Sequence, residues 1–427
     1  GRGFTGLSGR YVSNACVSGK GVDRDCIVPR IACVNGNGAK VTVNNKTREY
    51  ADDDYCVAGV GGLFNTIAFV NNSGSVQLNA GAHVKDLTFY GCNISLVYIS
   101  STGAESSISG KVLNAKDRVG IGCFAGSTAN QDTMTGVFKC VRLEKSSVSG
   151  GSNAGGLIGT AGWMGRSTNS DTGLIVDVGQ GYKVFPVQLY DCSYSELKVT
   201  SRWCAGGFVG SILSGASGIW TTSDLTVASD SRIAIEEIGS EKADDGCMAG
   251  GFFGLAGGET YVNTGQGASS TQVATIRDVT IAVNHKANGI GCIVGRARKQ
   301  VTVDRITVTS AKDLSSEAPT YLGSLGSSGN GSTGYTISAG GIAGVAEMGV
   351  TINSCTVEKI HLGVAGNAGG LIGSPTLGQT IKCSNTVVRG LTFDGPNSGC
   401  ISGEGKGKFH LANVLLDSNT FNKKDQG

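Results

Sequence analysis

Residues 367–373 read Asn-Ala-Gly-Gly-Leu-Ile-Gly, and residues 153–159 read the same seven. Close variants surround them: CAGGFVG at 204–210, MAGGFFG at 248–254 and SAGGIAG at 338–344. In GIGCFAG at 120–126, GIGCIVG at 289–295 and NSGCISG at 397–403 a Cys replaces the second Gly, and GVGGLF ends at Phe64. Anchored on the second residue of each pair, the copies stand at 62, 123, 156, 207, 251, 292, 341, 370 and 400. The gaps are 61, 33, 51, 44, 41, 49, 29 and 30 residues. Recurrence of a supersecondary unit at about 30 residues marks a repeat architecture. The longer gaps hold either two units or one unit with a protruding loop.

A second token lies between the first ones and reads φ-x-x-φ-x-φ, with φ apolar. Examples are Val84-Leu87-Phe89, Leu189-Cys192-Tyr194, Ile276-Val279-Ile281, Val303-Ile306-Val308, Ile352-Cys355-Val357, Val388-Leu391-Phe393 and Leu411-Val414-Leu416. The closing φ-x-φ is strand alternation. The step of three before it marks a bend, and Asp86, Asp191, Asp278 and Asn413 stand there, residue types that bond their own backbone at turns. Gly interrupts nearly every ten-residue window, and each interior Gly costs a helix about 1 kcal/mol relative to Ala. The remaining Val, Ile, Thr and Ser suit strands and turns. The expected fold is all-β: a right-handed parallel β-helix (a β-solenoid) of about ten coils over 57–416, with a Cys-rich cap over 1–56 and a polar tail over 417–427. Paired Gly would permit a turn at positive φ and close approach of neighbouring backbones. Segments 160–184 and about 309–336 read as irregular loop insertions.

These tokens resemble the GLUG-type Gly-rich repeats of bacterial and protist surface proteins, and the bends resemble the coils of pectin-lyase-like parallel β-helices. The resemblance covers about 57–416. It implies the fold class and an extracellular, surface-displayed use, and it carries no catalytic residue across.

Composition narrows the function classes. There are 69 Gly among 427 residues, more than twice the usual share of roughly 7%, yet no triplet period and only 5 Pro, which excludes collagen. A net charge of +2 with 40% apolar residues excludes wholesale disorder and gives no sign of a nucleic-acid binder. No apolar run is long enough for a transmembrane helix. The opening Gly1-Arg2-Gly3-Phe4 has neither an initiator Met nor an apolar leader, as expected of a processed chain or of a fragment. Fourteen Cys, an even number without any CxxC, suggest disulfides from an oxidising compartment, the alternative being buried thiols used as small apolar residues. Cys16, Cys26, Cys33 and Cys56 are expected to pair mainly among themselves, and Cys204 with Cys247, each just before a Gly-Gly token. Sequons at Asn45, Asn71, Asn93 and Asn330 permit glycosylation.

No residue set announces a reaction. The acidic clusters Asp52–Asp54 and Asp244–Asp245 are neighbours in sequence, which a strand points to opposite faces, and read as solvated turns. The Gly tokens recur nine times without a following helix, so they are architecture and not a dinucleotide loop. Arg296, Arg298 and Lys299 form the densest basic patch, a candidate for anionic glycan or simply a solvated face. The expectation is therefore a non-enzymatic extracellular or cell-surface protein, structural or adhesive, with no cofactor and no metal. Its alternatives are a carbohydrate-active enzyme or a glycan-binding protein on the same scaffold. Expected partners are a glycan or host-surface ligand and another copy end to end, because only polar residues follow the apolar Leu411–Leu416 strand. Head-to-tail contact would give a filament.

Overall fold

The computed structural model describes residues 2–3, 17–18, 31–35, 39–43, 46–49, 59–61, 64–69, 84–99, 105–107, 120–130, 136–150, 153–161, 166–169, 174–177, 187–201, 203–212, 217–222, 226–228, 231–235, 247–263, 273–283, 287–310, 320–324, 337–364 and 366–422. Among these the protein is all-β, built mainly from parallel strands, with no helix. The chain visits four ladders in a fixed order. The rung of the last Gly-Gly copy passes through Asn367–Gly369, Ile372–Pro375, Thr380–Arg389 and Thr392–Phe393, then returns to the first ladder at Asn397–Gly399. The first ladder stacks nine parallel strands from Gly59–Gly61 to Asn397–Gly399, where about ten coils were expected.

Among the described residues, every copy of the Gly-Gly token sits at the same place, the turn from the first ladder to the second, and the copy ending at Phe64 is flanked by strands of the same two ladders. Gly59–Gly61 pairs directly with Gly120–Gly122, so even the gap of 61 residues is one rung and not two. The extra residues lie between ladder strands. Within 160–184 they include an antiparallel hairpin of Arg166–Asn169 and Leu174–Asp177. The expected insertion at about 309–336 is interrupted by Thr320–Ser324, which is a strand of the fourth ladder between Val279–Val283 and Ile360–Gly363. Likewise Thr420–Phe421, in the expected tail, continues that ladder beyond Thr392–Phe393.

The token is a tight return, and its glycines serve close approach. A Cβ on Gly155 would meet the carbonyl oxygen of Ile158 and lie 2.6 Å from the Gly210 amide on the next rung. The expected positive φ is found elsewhere: among the described residues the glycines with positive φ are Gly91, Gly150, Gly378 and Gly390, all outside the token. The turn is itself bonded rung to rung, with Gly156 N donating to Gly206 O and Leu157 N to Phe208 O. No edge of the token is left to water inside the stack.

The φ-x-x-φ-x-φ token marks two different corners. In the first, within the third ladder, Cys140, Asp191, Arg305, Ser354, Asn385 and Asn413 hold φ between 49° and 55°. In the second, between the third and fourth ladders, Lys145, Glu196, Asp278, Lys359 and Ser418 hold φ between 48° and 55°, joined by Gly91 and Gly390 at 65° and 63°. A left-handed residue reverses the local twist, so that a step of three returns the next apolar residue to the interior. Hydroxyls and amides inside the corners satisfy the backbone: Ser231 Oγ accepts from Leu197 N, and Asn419 Oδ1 accepts from Leu391 N.

Between the ladders lies one continuous apolar core. Phe208 stands between Tyr194 and Phe252, with ring centroids 5.1 and 5.5 Å away. The Tyr194 hydroxyl donates to the Gly251 carbonyl at 2.6 Å. At roughly 25 cal/mol per Å² of buried apolar surface, this column is the main source of stability.

The described cysteines are part of this packing, which corrects the expectation that most are bridged. No disulfide is seen among the described residues, although the side chains of ten cysteines are described. Cys192 and Cys355 occupy the inward position that Val141, Ile306 and Val414 fill on other rungs. They are used as small apolar side chains. The bridge expected between Cys204 and Cys247 is absent because the register is offset by one. Cys204 lies opposite Met248, with its Sγ 3.6 Å from the Met248 Sδ, while Cys247 packs against the core on the other face. Cys16, Cys26 and Cys56, and the side chain of Cys33, lie outside the described residues.

Candidate interaction surface

The two ends of the stack differ. At the N-terminal end the second and third ladders finish in antiparallel strands, Arg2–Gly3 on Phe64–Phe69 and Val17–Ser18 on Val84–Tyr90. In the fourth, Ile31–Asn35 lies parallel on Asn93–Ile99 and is followed by antiparallel Ala39–Val43 and Lys46–Glu49. Antiparallel strands end a parallel ladder and divert its edge.

At the C-terminal end the third ladder finishes in Lys408–Asp417, which pairs with Thr380–Arg389 and, among the described residues, with no further strand. Its register places Phe409, Leu411, Val414 and Leu416 above the inward residues Ile381, Cys383, Thr386 and Val388. Those four are at most 1% exposed, whereas Leu411 is 49% and Leu416 46% exposed. Leu415, on the outer face, is 53% exposed, and Phe421, stacked on Phe393 at 4.8 Å, is 44% exposed. An open backbone edge and uncovered interior side chains therefore coincide. The bend is held by a line of amides: Asn413 Nδ2 donates to Asn385 Oδ1 at 2.9 Å, and Asn353 Nδ2 to Asp304 Oδ1 at 2.8 Å.

The acidic groups of the outer faces tie one rung to the next. Glu347 pairs with both Arg296 and Arg298, so the basic patch 296–299 is partly neutralised by its own neighbour. Glu358 accepts from Thr309 and Arg389, and Asp394 pairs with His361 at 2.6 Å while accepting from Asn422. Burial opposes ionisation of Glu404, but hydrogen bonds from Ser374 and Lys406 prevail and hold its carboxyl below the ordinary range. Burial pushes the Cys192 and Cys355 thiols up to about 12, which keeps them protonated and unreactive near neutrality.

Of the sequons, Asn93 is described: it is exposed in the fourth ladder, and its side-chain oxygen accepts from Ser147 Oγ at 3.0 Å. Asn45, Asn71, Asn330, Asp52–Asp54 and Asp244–Asp245 lie outside the described residues. The exposed C-terminal strand was foreseeable from Leu411-Val414-Leu416 followed by polar residues; the pairing of Glu347 with the basic patch was not, because 51 residues separate Arg296 from it. No helix among the described residues is long and apolar enough to cross a membrane. Comparison with protein-family models, curated proteins and solved structures finds no match.

Proposed function

We propose that this chain is a non-enzymatic extracellular or cell-surface protein, structural or adhesive, built as a right-handed parallel β-helix that associates end to end. Right-handed closure of the four ladders is the reading that the parallel crossovers favour, since such connections are right-handed in about 98% of cases. The reading rests mainly on the C-terminal edge, where interior leucines are half exposed on a strand that, among the described residues, is paired on one side alone. It is supported by the outer carboxylates, several of which serve as rung-to-rung ties, and by thiols held in their protonated form. A glycan or host-surface ligand on the outer faces belongs to the same reading.

Electron microscopy of native material, combined with a reducing-sugar assay on a polysaccharide panel, tests it. End-to-end particles on the cell surface without sugar release are expected. Release of reducing sugar would favour the alternative, a carbohydrate-active enzyme on this scaffold.

A further inference from the structure

We infer that the C-terminal edge strand is self-complementary and takes a second copy of this chain across a two-fold axis, giving a closed tail-to-tail dimer. The inference rests on the end-association reading above and adds which end meets which.

Consider Lys408–Asp417 paired antiparallel with itself about the midpoint between Ala412 and Asn413. Lys408 then faces the second copy's Asp417, Phe409 faces Leu416, His410 faces Leu415 and Leu411 faces Val414. Residues directly opposed in an antiparallel pair lie on the same face of the sheet. The register with Thr380–Arg389 sets 409, 411, 414 and 416 inward and 408, 410, 415 and 417 outward. Every inward apolar residue therefore meets an inward apolar residue. Every outward residue meets an outward one, and symmetry supplies the Lys–Asp contact twice. The bend at Asn413, with φ of 53°, sits beside the midpoint. A two-fold axis along its bisector exchanges the two arms, so the bend does not obstruct pairing. The charge match belongs to this strand: the same arrangement of Thr380–Arg389 would oppose Thr380 to Arg389. Leu415, half exposed on an outer face, gains a cover from His410 of the second copy.

The other end offers no equivalent. Among the described residues, its second and third ladders already finish in the antiparallel strands Arg2–Gly3 and Val17–Ser18, so neither presents a parallel edge for head-to-tail continuation. An isologous contact of like ends closes at two copies, where a heterologous one would extend into a filament.

Sedimentation velocity of the intact chain over a concentration series tests this. The expected result is a monomer–dimer equilibrium that stops at two copies. Asp417→Lys, an exposed position, should weaken it roughly tenfold by placing like charges opposite each other twice, and Lys408→Asp combined with Asp417→Lys should restore it. Circular dichroism verifies that the variants fold. A single species of one copy at every concentration would overturn both this inference and end association. Species that grow beyond two copies would overturn the tail-to-tail arrangement and leave end association standing. A single variant that dimerises as well as the parent would overturn the strand pairing.

Discussion

Gly207 shows what the repeated glycines do. A Cβ there would meet the Gly251 carbonyl oxygen and lie 2.5 Å from Cζ of the buried Tyr194 ring. Gly207→Ala is expected to destabilise the fold by about 1–3 kcal/mol, the usual cost of overpacking, in denaturant unfolding. Gly405, with nothing within 4 Å and no strained φ, is the control: Gly405→Ala should change stability by less than about 0.5 kcal/mol. The sequence made the importance of the paired Gly legible but left two reasons open. Close approach depends on backbones of neighbouring rungs, which a linear pattern does not display. The thiols carry a second prediction at this scale. Cys192 and Cys355 have folded-state values of about 12 against 9.0 for an ordinary thiol. Below pH 9 their contribution to stability is full. As pH rises from about 9 to about 12 the unfolded chain loses protons that the folded chain keeps, so stability falls by up to about 1.4 kcal/mol per pH unit for each thiol. Alkylation of these two cysteines in the native protein should stay slow at pH 8 and become fast on unfolding. Fast native labelling would show that the thiols are accessible.

At the scale of the element, the described corners turn on left-handed residues. Asn385 holds φ of 50° and bridges Asn353 and Asn413. A β-branched side chain is poorly tolerated in that conformation, so Asn385→Val should cost about 1–2 kcal/mol in thermal or chemical unfolding. Asn385→Gly keeps the conformation accessible and should cost less. Equal losses for the two variants would mean that the side-chain amides, and not the backbone conformation, hold the corner. The bends were readable because a step of three between apolar residues breaks strand alternation. That Asp191 and Asp278 serve different corners was not, since both corners share one pattern. Thr320–Ser324 was hidden for another reason. Its Gly- and Ser-rich surroundings read as loop, and the strand is recruited by pairing with Val279–Val283 and Ile360–Gly363, far from it in sequence. The expected Cys204–Cys247 pairing failed because position before a Gly-Gly token carries no register, and register is what sets Cys204 against Met248.

For the whole molecule, nine rungs of the first ladder at roughly 4.8 Å each extend over about 40 Å. Unequal gaps in the sequence become equal spacing in space, because the strands on either side of the extra residues keep the same ladder register. Stability in such a stack is a sum of neighbour contacts, so the ends, the exposed C-terminal edge among them, fray before the middle. Hydrogen exchange should accordingly be faster in Lys408–Asp417 than in Val301–Asp304, and association should slow it. The central claim is that every Gly-Gly copy marks one level of a single parallel stack. Electron cryomicroscopy of the purified chain tests this most directly. The account predicts density for nine evenly spaced levels about 4.8 Å apart, each with the tight return at one side. Levels missing between copies 62 and 123, or an extra level inserted there, would contradict it.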